Sequence, residues 1–75
     1  MTTWQVIARD ATRSYVLLDT TDRWEADKEY RNRATQLRNG SLAPEITTIA
    51  LHRVTNGRRK KVPTKFISIT QEETA

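Results

Sequence analysis

The pair Asn56-Gly57 limits what this chain can fold into more than any other two residues. It stands between two runs rich in β-branched residues, Ile46 to Thr55 before it and Val62 to Ile69 after it. A two-residue hairpin loop of type I′ needs positive φ at both central positions, and Asn-Gly supplies that with least strain. A β-hairpin from Ile46 to Ile69 is therefore expected, with Asn56-Gly57 at its tip. In the simple register Thr55 faces Arg58, Arg53 faces Lys60 and His52 faces Lys61. Further down, Leu51 faces Val62, Ile49 faces Thr64 and Thr47 faces Phe66. Alternation then puts Ile49, Leu51, Val62 and Phe66 on one face, and Thr48, His52, Arg59, Lys61 and Lys65 on the wet one. Ile67 and Ile69 fall in phase with Lys65 rather than Phe66. A bulge near Thr64 that shifts the register is the preferred reading, with burial of both faces as the other.

The same hairpin holds most of the excess charge. Residues 41–70 carry six cations against Glu45 alone, in a chain whose net charge is +4. Such asymmetry points to a polyanionic or acidic partner more strongly than the total does.

The residues before the hairpin read as a platform for it. Trp4 to Arg9 is expected as a first strand, and Ser14 to Thr20 as a second with apolar residues on both faces, the pattern of a central or doubly covered strand. Asp10 to Arg13 is a turn, because an Asp in first position accepts from the backbone two residues on. Residues 22–38 form the helix. Thr21 or Asp22 can cap it, with Asp22 and Glu25 at capping-box spacing; Asp27–Arg31 and Glu29–Arg33 are i,i+4 pairs, and Asn39-Gly40 is the left-handed stop. Its apolar stripe is thin: Ala26, Tyr30, Ala34 and Leu37. Trp24 lies off that stripe. It is expected to fold back over the helix start or a sheet edge, an exposed anchor at a binding surface being the alternative. Pro44 ends any helical continuation, and Pro63, which donates no hydrogen bond, marks the last strand as an edge.

These pieces predict an α+β fold of order β-β-α-β-β: two antiparallel hairpins in one sheet, with a single helix packed on one face. The chain of 75 residues is one small domain, with a disordered acidic tail expected over 70–75. With no cysteine and no apolar run of membrane-spanning length, the expectation is a soluble cytoplasmic protein without a membrane role.

No catalytic constellation is legible. His52 is the lone histidine and reads as a strand residue, and Ser14, Ser41 and Ser68 have no base beside them. Gly40 and Gly57 are both used by turns, which leaves no phosphate-cradling loop. The chain is expected to be no enzyme, with no metal, no cofactor and no small-molecule substrate. The helix face Arg23, Asp27, Arg31, Thr35 and Arg38 has mixed signs and reads as solvated surface.

The charge that remains is the hairpin's. Arg53, Arg58, Arg59, Lys60 and Lys61 would contact the phosphates of DNA or RNA, with Lys65 as a peripheral contact. Arg53 opposite Lys60 is a like-charge pair that a phosphate would relieve. A two-stranded ribbon fits a major groove, and a basic strip equally tracks a single strand. The competing reading of these lysines is solubility and protection of an exposed edge. Trp4, Tyr15, Tyr30 and Phe66 are expected inside so small a domain; base stacking would need Tyr15 and a strand neighbour to face out of an open sheet.

A second function belongs to another class. The strand-strand-helix-strand layout, without any shared motif, resembles that of small phage-encoded inhibitors of host RNA polymerase. That likeness implies an accessory or inhibitory protein of phage type, acting in transcription regulation by docking on an acidic surface of a larger machine. Trp24 and Arg31 would then be the protein-binding residues.

Overall fold

The computed structural model describes residues 1–69. Among them the order is β1 (Thr2–Arg9), β2 (Ser14–Thr20), α1 (Arg23–Asn39), β3 (Thr48–Thr55), β4 (Arg58–Arg59) and β5 (Lys65–Ser68). One antiparallel sheet runs β2-β1-β3, and both β4 and β5 pair along the far side of β3. The α+β architecture, two hairpins with one helix on one face, is as the sequence predicts. The expected tail over 70–75 lies outside the described residues.

Local chemistry explains the elements. Asp10 Oδ1 accepts from the backbone N–H of Thr12 at 2.8 Å and from that of Arg13, closing the turn between β1 and β2. Asp22 caps α1 by accepting from the Trp24 N–H at 2.9 Å. Gly40, at φ 72°, closes the other end with its N–H turned back to the Gln36 and Leu37 carbonyls. Arg31 Nε donates to Asp27 at 3.0 Å and Arg33 Nε to Glu29 at 2.6 Å, so both i,i+4 pairs form.

The two hairpins are joined by a long seam between β1 and β3, running from Thr2 opposite Thr55 to Arg9 opposite Thr48. Across it Val6 meets Leu51 and Ala8 meets Ile49, all four buried toward the helix. Ala26 and Leu37 press on this row from α1, with Tyr30 half-buried beside them. Burying each of the larger aliphatic side chains contributes about 1.5–3 kcal/mol. That row is the core.

Three expectations are corrected. β2 is an edge strand, not a central one: it pairs only with β1, and Val16 and Leu17 are exposed. Its register also shifts between Val6 and Ile7, leaving Leu17 without a partner.

The second correction concerns the hairpin's lower half. Near the tip Val54 faces Arg59 and Thr55 faces Arg58, as expected, with Asn56 at φ 53° and Gly57 at φ 78°. Lys60 N–H then donates to the Arg53 carbonyl at 3.0 Å, and the ladder breaks. Pairing resumes with Leu51 opposite Lys65, Ala50 opposite Phe66, Ile49 opposite Ile67 and Thr48 opposite Ser68. The expected bulge is thus a longer irregular stretch around Pro63, and it inverts the faces below it. Ile67 joins Ile49 against the helix, while Phe66 and Val62 are exposed. The expected partners of Leu51, Ile49 and Thr47 do not form.

The third concerns single residues. Trp24 does not fold back; it is 79 % exposed. His52, expected on a wet face, is 1 % exposed.

Candidate functional site

β3 positions the basic residues. Arg53 lies on the helix side of the sheet opposite Trp4, and Lys60 sits across from it on the outgoing strand. Arg58, opposite Thr55, continues that side of the corner. Arg59, opposite Val54, points to the other face, where its Nε donates to Gln5 Oε1 of β1 at 3.0 Å. A shallow cleft lined by Arg53, Thr55, Arg58, Arg59 and Lys60 joins the two sides. Lys61 follows in the irregular stretch, exposed.

Lys65 is elsewhere. The inverted register places it on the helix side, where its Nζ donates to Asp27 Oδ1 at 2.9 Å. Asp27 also takes Arg31, and these two partners, Lys65 foremost, hold its carboxyl below the usual carboxylate range. So two of the residues read from sequence as contacts, Lys65 and Arg31, share one acid and are drawn together on α1 and β5.

The tip is no free-standing ribbon. β1 flanks β3 up to Thr55, and Asn56 N–H donates to the Met1 carbonyl at 3.0 Å. One side of the ribbon is therefore covered, and the basic residues form a corner of the sheet. Such a corner can lie against a phosphate backbone but lacks the open two-stranded shape that enters a major groove.

Behind the corner, His52 acts as a fastener. Its ring lies on the face opposite the helix, opposite Gln5, and its Nδ1 is 3.0 Å from the Lys60 carbonyl. A carbonyl only accepts, so Nδ1 carries the proton, and Nε2 is left to accept from Arg9 Nη2, 3.5 Å away. Burial lowers the His52 pKa; the hydrogen bond to the Lys60 carbonyl opposes this, and the Arg9 and Arg59 charges add to the lowering. The ring is neutral and bridges β1, β3 and the basic stretch.

Sequence reasoning missed Arg9 and Gln5 as neighbours of the basic corner, because both reach it through the β1–β3 seam. The phase break at Ile67 and Ile69 was the one local signal that Phe66 faces outward.

Trp24, Arg23, Asp27 and Arg31 line a separate depression on the exposed side of α1. Arg23 lies 5.3 Å over the Trp4 ring, tying the helix start to β1. Among the described residues no group of three or more His, Cys, Asp or Glu could hold a metal ion. No helix there is long and apolar enough to cross a membrane.

Comparison with family models, with curated proteins and with solved structures finds no match for this chain.

Proposed function

We propose that this chain is a small non-enzymatic cytoplasmic protein that holds the phosphate backbone of a nucleic acid on the basic corner of its sheet. One observation carries the reading. Among the described residues Arg53, Arg58, Arg59, Lys60 and Lys61 gather at one corner with no carboxylate ion pair. Arg33 is paired with Glu29, Arg31 and Lys65 share Asp27, and the other unpaired cations, Arg9, Arg13, Arg23, Lys28 and Arg38, are spread over β1, the first turn and α1. Arg53 and Lys60 face each other as like charges, and the corner is fixed by His52 instead of being left as a loose tail. An incoming phosphate would relieve the repulsion and release counterions.

The test is a titration of labelled DNA and RNA oligonucleotides at two salt concentrations, beside a variant with Arg58, Arg59, Lys60 and Lys61 changed to Gln. Affinity should fall steeply with salt and collapse in the variant. Binding that ignores salt would sink the reading.

A second reading is favoured by the exposure of Trp24 alone. At 79 % exposed, next to Arg23 and Arg31, it has the chemistry of an anchor for an acidic surface on a larger protein machine such as RNA polymerase. Loss of a protein partner in Trp24→Ala, with nucleic-acid affinity intact, would favour it over the first.

A further inference from the structure

The sheet carries the helix on one face only, and the opposite face is not plain solvated surface. A cross-strand row there runs Val16, Ile7, Ala50, Phe66 through β2, β1, β3 and β5. Ile7 and Ala50 are buried in the middle of the row, and Phe66 at its end is 64 % exposed. Beside Phe66 lies a groove of about 300 Å³, lined among others by Arg9, Thr48, Ala50, His52 and Pro63. This is the low end of the size range for sites that hold a small molecule. Pro63 belongs to the same irregular stretch as Lys60 and Lys61, and His52, which also lines the groove, holds the Lys60 carbonyl at 3.0 Å, so the groove adjoins that stretch.

We infer that this face is a platform for an unstacked base of a single-stranded nucleic acid, with Phe66 stacking on the base and Arg9 taking an adjoining phosphate. The strand continues past Pro63 to Arg59 and Lys61. The inference rests on the backbone-binding reading above and adds the state of the strand.

Charge selects the occupant. Arg9 and Arg59 stand on this face, and the one acid in its rows, Asp19, accepts from Gln5 Nε2 at 3.2 Å. A second copy of the chain docking through the same face would set these cations against one another. A duplex offers phosphates but keeps its base faces stacked, so it has nothing for Phe66. An unpaired strand offers both.

The experiment compares a labelled single strand with a blunt-ended, loop-free duplex of equal phosphate number, using wild type, Phe66→Ala and Phe66→Tyr. Phe66 is exposed, so both variants should keep the wild-type circular dichroism. The single strand should bind about tenfold more tightly than the duplex. Phe66→Ala should remove about that factor for the single strand only, leave the salt dependence unchanged, and be rescued by Phe66→Tyr. Equal affinity for the two forms, or an unaltered single-strand affinity in Phe66→Ala, overturns the platform while leaving the basic corner standing. Absence of binding to either form at low salt overturns both. A concentration-dependent dimer that Phe66→Ala abolishes, without any single-strand preference, assigns the face to a second copy instead.

Discussion

The Nδ1–H of His52 donates to the carbonyl of Lys60 across 3.0 Å, so the chain's one imidazole holds the backbone of its most basic stretch. The ring makes that bond in its neutral form and keeps Nε2 unprotonated toward Arg9. Protonation would place a third cation between Arg9 and Arg59.

Stability should therefore depend on pH in a definite direction. The folded His52 pKa lies below its ordinary value of 6.5, chiefly through burial. Above 6.5 neither state binds the proton and nothing changes; as pH falls below 6.5 the unfolded chain protonates first, so stability drops until the folded pKa is passed. Urea midpoints should be flat at higher pH and decline on going to pH of about 5. In His52→Gln that decline should vanish. A wild-type midpoint that rises on acidification would contradict the buried neutral ring.

Ile49→Ala should be among the most damaging single changes. Ile49 is fully buried between Ala8 and Ile67 in the row against the helix. The expected loss is about 3 kcal/mol, a large share of the stability of so small a domain. Thermal unfolding checks it; a loss below about 1 kcal/mol would mean the row is not the core.

Gly57→Ala tests the tip. Gly57 has φ 78°, and an added Cβ meets no atom within 4 Å, so the cost is backbone strain alone, about 1 kcal/mol. The midpoint should move by that amount while nucleic-acid affinity stays within a few-fold of wild type.

Lys65→Gln separates the two groups of cations. Lys65 is committed to Asp27, so the change should cost about 0.5 kcal/mol of stability and leave oligonucleotide affinity within twofold. Lys61→Gln should do the reverse, lowering affinity and reducing the salt slope by roughly one unit. Equal effects of the two on binding would contradict the placement of Lys65.

Local and distant chemistry were not equally legible in the sequence. The helix could be read almost residue by residue, since Asp22, Gly40 and the pairs Asp27–Arg31 and Glu29–Arg33 act within a turn or two of chain. Asn56-Gly57 announced the tip for the same reason. The lower half of the hairpin could not be read this way, because the break around Pro63 lets β5 pair in a register that the turn does not set. What settles it is distant: Ile67 gains the buried place beside Ile49, and Lys65 gains Asp27. The burial of His52 was equally invisible, since Arg9 and Gln5 come to it from β1, more than forty residues away in the chain. Trp24 shows the limit of treating every aromatic as core. The helix stripe is complete without it, and nothing on the sheet calls it back.

Both outer strands of the sheet are interrupted. On β2 the straight runs are three residues long on either side of Leu17, and on the far side β4 supplies two residues and β5 four. Stacked cross-β filaments need an unbroken segment of about six or seven residues that identical copies can join in register. Neither flank offers one, so this small sheet is a poor seed for fibrils despite its exposed Val16 and Leu17. Removing Leu17 would straighten β2 into one continuous template, and the molecule would then be open to filament growth along that flank.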